Sequence, residues 1–260
     1  MNRIPNWLSA IAAVALVLVV SHSARAQGEL TVTFVGRGDE AFRELGARFA
    51  AKTGHKVTVK SLNTWAARDV ILNGEPFDVG IVEFPYDAAV LASSNVVPST
   101  ATPVANGTIG LVVRKGAPKP DISTPAAVKR ALLAAKSLAY PDPEGGRAGS
   151  GVSVIEMLRR LGIAHEVEAK ATLTQGGPRA MALVAKGDAE IGMTYLIGIG
   201  GDSHVDFVGA LPGEICPPNP LIGFVSAKTK YPEAARELLN YLSSPEAAGT
   251  YLAYWLQPAY

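Results

Sequence analysis

Residues 109–163 read "IGLVVRKGAPKPDISTPAAVKRALLAAKSLAYPDPEGGRAGSGVSVIEMLRRLGI", and this stretch decides the fold. With the preceding Thr108 it opens on "TIGLVVRK", a β-branched, apolar run of the kind that forms a strand. The segment "ISTPAAVKRALLAAKS" reads as a helix, with Thr124 at the N-cap and Pro125 at the first helical position, where its missing N–H leaves nothing unsatisfied. "SLAY" reads as a buried strand and "GSGVSVIEMLRRLG" as a turn leading into a second helix. Strands separated by single helices imply an α/β fold with parallel sheets and right-handed crossovers.

The alternation extends in both directions. Upstream, "ELTVTFV" reads as a strand, followed by a helix with Phe42, Leu45, Gly46 and Phe49 at i, i+3, i+4, i+7 spacing. Gly54 suits the C-terminal cap of that helix. "KVTVK", "TWAARDVILNG" and "FDVGIVE" continue as strand, short helix and strand. Downstream, "KATLT", "GPRAMALVAKGD" and "EIGMTYL" repeat the unit. The last part breaks the pattern: "VDFVGAL" and "IGFVSAK" read as strands around the loop "PPNP", and "YPEAARELLNYLSSPEAAGTYLAYWL" as two helices punctuated by Ser-Ser-Pro. No internal repeat or low-complexity linker is present.

The N-terminus has a different character. An early charge at Arg3, a 14-residue apolar run from Trp7 to Val20 and the small-x-small ending Ala24-Arg25-Ala26 are the parts of a secretory signal peptide. The run is short for a membrane span. Cleavage after Ala26 is expected to leave 260 − 26 = 234 residues beginning at Gln27. Removing Arg3 and Arg25 takes Lys+Arg from 24 to 22 against 23 acids, a net charge near −1. There is then no basic excess to hold nucleic acid or an anionic membrane surface. Cys216 is the only cysteine, so no intramolecular disulfide can form despite an oxidising compartment. A chain of this length can bury about 70% of its unfolded surface and needs no such staple.

Taken in order, several segments resemble the type II periplasmic solute-binding proteins of ABC importers, in the branch similar to molybdate-binding proteins. The resemblance rests on "RFAAKTGHKVTV", on "NGEPFDVGIVE", on the 109–163 stretch, on "LVAKGDAEIGMTYL" and on "SAKTKYPEAARELLNYLSSPEAAGTYL", which together span nearly all of the chain after residue 26. It implies two α/β lobes closing on a small anion, delivery of that anion to an ABC permease, a monomer working in the periplasm, and no cofactor or metal. The lobes are expected at 27–110 and 111–205, with 206–260 returning to the first lobe and closing in C-terminal helices. In open α/β sheets ligands bind beyond the carboxyl ends of strands, where loops meet helix N-termini whose free N–H groups favour anions.

The ligand-binding residues that the resemblance implies are Gly36, Arg37, Gly38, Asn63, Thr64, Trp65, Ser150, Gly151, Ser153, Gly177 and Tyr195. The sequence departs from the molybdate pattern at Val35-Gly36-Arg37-Gly38, where small residues and a serine are usual, and again at Ser61-Leu62-Asn63-Thr64-Trp65. Arg37 reads as a solvated turn residue in isolation and as the partner of a bound anion when aligned to the first ligand loop. A guanidinium beside an indole suits an organic carboxylate, which it can grip bidentately, better than a compact oxyanion. Carboxylate is therefore the first expected ligand and a molybdate-like oxyanion the second. Trp65 equally suits a core cap, and Asn63 and Thr64 equally suit N-capping. "GGRAGSGVS" offers flexible amides and hydroxyls at a helix start but lacks the G-K-[ST] ending of a nucleotide loop. "TQGGPRA" is similar, with Gly176 and Gly177 before a proline, and Arg147 and Arg179 could supply further charge.

The same "GAPKPDISTP…RALLAAKS" stretch is similar to a sub-branch that includes aconitate isomerases, which move a proton on a tricarboxylate. On that alternative a positioned acid or base is needed, and Glu83, Asp142 and Glu144 stand at strand ends. No G-x-S-x-G elbow supports a hydrolase. Asp202, His204 and Asp206 alternate as strand neighbours, but no further metal ligand accompanies them. His55 and His165 follow helix ends and read as surface residues. Tyr251, Tyr254 and Trp255 read as packing residues.

Overall fold

The structure, a computed structural model, describes residues 28–35, 39–62, 64–83, 88–143, 149–198 and 204–259. Residues 1–26, expected as a signal peptide, and Gly36, Arg37, Gly38 and Asn63 lie outside them. The chain begins β1 (Glu29–Val35), α1 (Asp39–Thr53), β2 (Lys56–Leu62), α2 (Thr64–Leu72), β3 (Val79–Glu83), α3 (Ala88–Leu91) and β4 (Thr102–Gly107). It continues β5 (Ile109–Arg114), α4 (Pro125–Ala134), β6 (Leu138–Pro141), α5 (Gly149–Leu161), α6 (Ala164–Glu168), β7 (Ala171–Thr174), α7 (Gly177–Lys186), β8 (Ile191–Tyr195) and β9 (Val205–Ala210). The last elements are β10 (Asn219–Val225), α8 (Pro232–Leu242), α9 (Ala248–Ala253) and the short β11 (Gln257–Pro258).

Two sheets result, one of six strands in the order β11-β4-β10-β3-β1-β2 and one of five in the order β7-β6-β8-β5-β9. The pairs β1–β2, β1–β3, β6–β7 and β6–β8 are parallel, which requires crossover connections. Every pair involving β10 or β5 is antiparallel, so both sheets are mixed where parallel sheets were expected. The physical reason is connectivity. β5 and β10 are the strands by which the chain enters one sheet from the other, and no crossover fixes their direction. β5 and β6 run oppositely even though α4 lies between them, since β8 is antiparallel to β5 and parallel to β6.

Only Thr108 separates β4 in the first sheet from β5 in the second, and the return runs between Ala210 and Asn219. β9, expected at the start of the returning segment, instead pairs with β5 in the five-stranded sheet. Its pattern of intermediate burial suits a sheet edge.

Each sheet has its own core. Around the first, Leu30, Val32, Phe42, Leu45, Phe49, Ile81, Leu238 and Tyr251 are buried together. The expected i, i+3, i+4, i+7 face of α1 is the buried face, and Gly46 lets the helix approach Val57 of β2, where a Cβ would come within 2.9 Å. Gly54, at φ 80°, ends α1 with its N–H on the Ala50 carbonyl. Around the second sheet, Leu111, Val128, Leu132, Leu138, Met157, Leu158 and Met193 form the core. α4 begins as the sequence requires, Thr124 Oγ1 accepting the Ala127 N–H at 3.2 Å with Pro125 next.

Candidate functional site

The parallel strands β1, β2 and β3 all end on one edge of the first sheet, at Val35, Leu62 and Glu83. β3 is buried along its whole length between β10 and β1, so the alternation of a half-exposed strand is absent and "VGIV" is continuously apolar. The strand closes on Glu83, a carboxylate only 5% exposed. Burial at this level is rare for an ionisable side chain without specific surroundings.

Part of those surroundings comes from the other sheet. α5 starts at Gly149, and a Cβ placed on Gly149 would lie 1.8 Å from Glu83 Oε2 and 3.4 Å from the Tyr195 hydroxyl. The carboxylate of β3 therefore rests on the first residue of α5, in space that only glycine leaves open. Ser153, one turn further on and buried, donates through Oγ to the Gly149 carbonyl at 3.2 Å.

A second link crosses between the sheets. Asn219, the buried first residue of β10, donates from Nδ2 to Ser153 Oγ at 2.6 Å and to the Tyr195 hydroxyl. In register Asn219 lies opposite Gly107, the last residue of β4. A Cβ at Gly107 would come within 3.2 Å of the Tyr195 ring, so the glycine lets that ring lie close over the strand. Asn219 and Gly107 were missed by the sequence reading. The signal available was an asparagine at the head of "NPLIGFV", directly after two prolines, in a loop assigned only as a connection.

Four of the expected residues meet around this junction or beside it. Ser150 and Ser153 are buried in the first turns of α5, and Tyr195 is half-buried at the end of β8. Gly177 opens α7 and abuts Thr194, the neighbour of Tyr195, where a Cβ would meet the hydroxyl oxygen at 2.2 Å. Gly151 has a different surrounding from the one anticipated. A Cβ there would lie 2.2 Å from the Pro141 carbonyl oxygen and 2.9 Å from the Pro143 nitrogen, so this glycine packs α5 against the preceding turn. Thr64 and Trp65 open α2, while Gly36, Arg37, Gly38 and Asn63 lie outside the described residues, as do Glu144 and Arg147. Asp142 is half-buried at the end of β6, with its N–H on the Thr174 carbonyl.

Other residues take structural parts. His55, expected on the surface, is buried; its Nδ1 accepts the Gly28 N–H at 3.0 Å, and its ring stacks on Phe49 at 6.0 Å. The turn at Gly54 folds it back under the start of β1. Asp206 accepts from Lys115 Nζ at 2.9 Å and the Gly116 N–H at 2.8 Å, which hold its carboxyl below the usual range, the backbone contact most strongly. His204 is exposed, and no group of three metal-ligating side chains occurs among the described residues. Tyr251 and Tyr254 pack as expected, bonding to the Leu242 carbonyl and to Glu44.

With this geometry in hand, comparison with known proteins is specific. The chain matches the family of bacterial extracellular solute-binding proteins over residues 30–254 and belongs to it. It is 30% identical to an aconitate isomerase of Pseudomonas sp. over 249 residues, 93% of each chain. It is 28% identical to the molybdate-binding protein ModA of Rhodobacter capsulatus over 251 residues, 95% of each. In three dimensions it is similar to the periplasmic molybdate-binding protein of Azotobacter vinelandii, with a TM-score of 0.69 at 19% identity, over 87% of this chain and 98% of that one. The two-lobed periplasmic-binding-protein fold is thus shared with these relatives. No helix among the described residues is long and apolar enough to cross a membrane.

Proposed function

We propose that this protein captures a small anion in the cleft between its two sheets and delivers it to an ABC permease from the periplasm, after removal of residues 1–26. The observation that carries the reading is the junction itself. Glu83 on Gly149, and Asn219 on Ser153 and Tyr195, bring polar groups from both sheets together where the sheets meet. Such a place is assembled or dismantled by any motion of one sheet against the other, which is how a ligand can be coupled to lobe closure. We take the lobes to be 28–107 with 219–259, and 109–210.

The ligand we favour is an organic di- or tricarboxylate, with a molybdate-like oxyanion second. Support comes from Arg37, a planar charged fork in the loop that follows β1, and from the 30% identical relative named for aconitate. Arg37, with Gly36, Gly38, Asn63, Thr64 and Trp65, would line one side, and Ser150, Ser153, Gly177 and Tyr195 the other. Thermal shifts of the mature chain with molybdate, tungstate and a panel of carboxylates test this. Stabilisation by molybdate alone would remove the carboxylate preference. Arg37→Ala is expected to abolish the ligand-induced shift while leaving the ligand-free melting temperature within about 2 °C; an unchanged shift returns Arg37 to the role of a surface turn residue.

One observation favours a second reading, an isomerase on the same fold. Glu83 and the Tyr195 hydroxyl both face the Gly149 corner, so a carboxylate and a phenol stand side by side. Glu83 would take a proton from the methylene beside the substrate double bond, the double bond would shift by one carbon, and the proton would be returned at the far carbon. Incubation of a stabilising tricarboxylate with the protein, followed by NMR, would reveal interconversion of isomers.

A further inference from the structure

We propose that Trp255 is a strap over the place where the chain crosses between the two sheets, and that its ring, resting on Phe207, favours the relation of the sheets described above. The inference goes beyond the proposed function and needs no assumption about a ligand. Trp255, at φ 62°, is the one non-glycine with a left-handed backbone among the described residues, a conformation that disfavours a bulky side chain. Its place in the chain explains the backbone but not the residue. The Trp255 N–H bonds the Leu252 carbonyl at 3.2 Å and the Leu256 N–H the Tyr251 carbonyl at 2.9 Å, the two hydrogen bonds that close α9. Glycine suits such a position, as Gly54 does after α1 and Gly187 after α7. Burial does not explain the tryptophan either, since it is 46% exposed. What its ring has is Phe207, edge-on at 5.1 Å.

Both rings are anchored close to the crossing. On the first sheet, Leu256 is 1% exposed in the core, and β11 follows at once. It pairs with β4 at Asn106 and Ala105, and Asn106 Nδ2 donates to the Pro258 carbonyl at 3.3 Å. On the second sheet, the Phe207 ring lies over Gly110 of β5. A Cβ there would come within 2.9 Å of that ring and 2.0 Å of Leu196, so the glycine leaves room for both side chains, and no positive φ accounts for it otherwise. Asn106 and Gly110 stand two residues either side of Thr108, which alone joins β4 to β5. The aromatic pair therefore bridges the crossing between strands of different sheets. When the sheets turn about Thr108 the rings must part, because the backbone behind each is tied to its own sheet. An edge-on pair contributes beyond the area it buries, so it weights one relation of the sheets against the others.

Distances between the lobes, read by pulsed electron double resonance on the mature chain without added ligand, test this. Spin labels enter through Glu75→Cys and Glu166→Cys, exposed positions in the first and second lobes, while Cys216, 2% exposed, stays unlabelled. Trp255→Gly is the decisive variant, because it removes the ring and suits the left-handed backbone. It is expected to keep the melting temperature within about 2 °C of the parent or raise it. At the same time the population at the parent distance, relative to all others, should fall by about two- to tenfold. Phe207→Ala is expected to move the distribution in the same direction, and the double variant no further than either change alone. An unchanged distribution in both single variants would overturn the strap, and a lowered melting temperature alongside it would make Trp255 a packing residue at the end of α9. Additive shifts in the double variant would also overturn it, since the two rings would then act separately. None of these outcomes depends on which anion the cleft takes.

Discussion

Asn219 holds one side chain in two places at once, donating to Ser153 in α5 and to Tyr195 in β8 from the first position of β10. Asn219→Ala leaves both hydroxyls, that of Ser153 buried and that of Tyr195 half-buried, without that donor. The expected cost is about 1–3 kcal/mol, which for a chain of this size lowers the melting temperature by about 2–4 °C per kcal/mol. Differential scanning calorimetry reads this directly, and an unchanged melting temperature would show the link to be dispensable. Cys216 is also decided at this scale. It is 2% exposed, and burial pushes its thiol up to about 12. Since the thiolate is the reactive form, a disulfide reagent at pH 8 should leave the native protein unmodified and titrate one thiol once guanidinium unfolds it. Fast reaction of the native protein would contradict the burial.

Among the elements, α5 shows how one residue type serves separate ends. "GSG" was legible as a helix start, because glycines and serines before an apolar periodic run suit the first turn. The reasons for the individual glycines were not legible. Gly149 leaves room for a carboxylate contributed by β3, and Gly151 for the Pro141 carbonyl. Gly151→Ala forces a methyl to within 2.2 Å of rigid backbone and is expected to destabilise the fold by about 1–3 kcal/mol, measured by urea titration. α1 was readable in full, since its buried face follows local periodicity and its end follows a glycine. β4 was not anticipated, because "TPVANG" carries a proline, a glycine and an asparagine and becomes a strand only through β10 and β11 on either side.

For the whole molecule, the useful contact is the one between Phe207 of β9 and Trp255, which precedes β11. Their rings meet edge-on at 5.1 Å across the two sheets, although Trp255 is 46% exposed. A ligand that moves the lobes must change this pair. In a Trp65→Phe background, where Trp255 is the remaining tryptophan of the mature chain, binding should therefore shift the emission maximum or intensity. A ligand shown by calorimetry to bind without altering Trp255 emission would mean that the lobes keep their relation. The same scale governs strand direction. The α/β class, the helix caps and the family could be read from the chain because each depends on spacings of a few residues or on an ordered series of such segments. The antiparallel entry strands, the burial of His55, the surroundings of Gly149 and the link from Asn219 to Tyr195 depend on residues tens of positions apart, brought together only when two sheets with separate cores are set side by side. Local periodicity records which face of an element is buried; it holds no record of the group from another element that will lie against it.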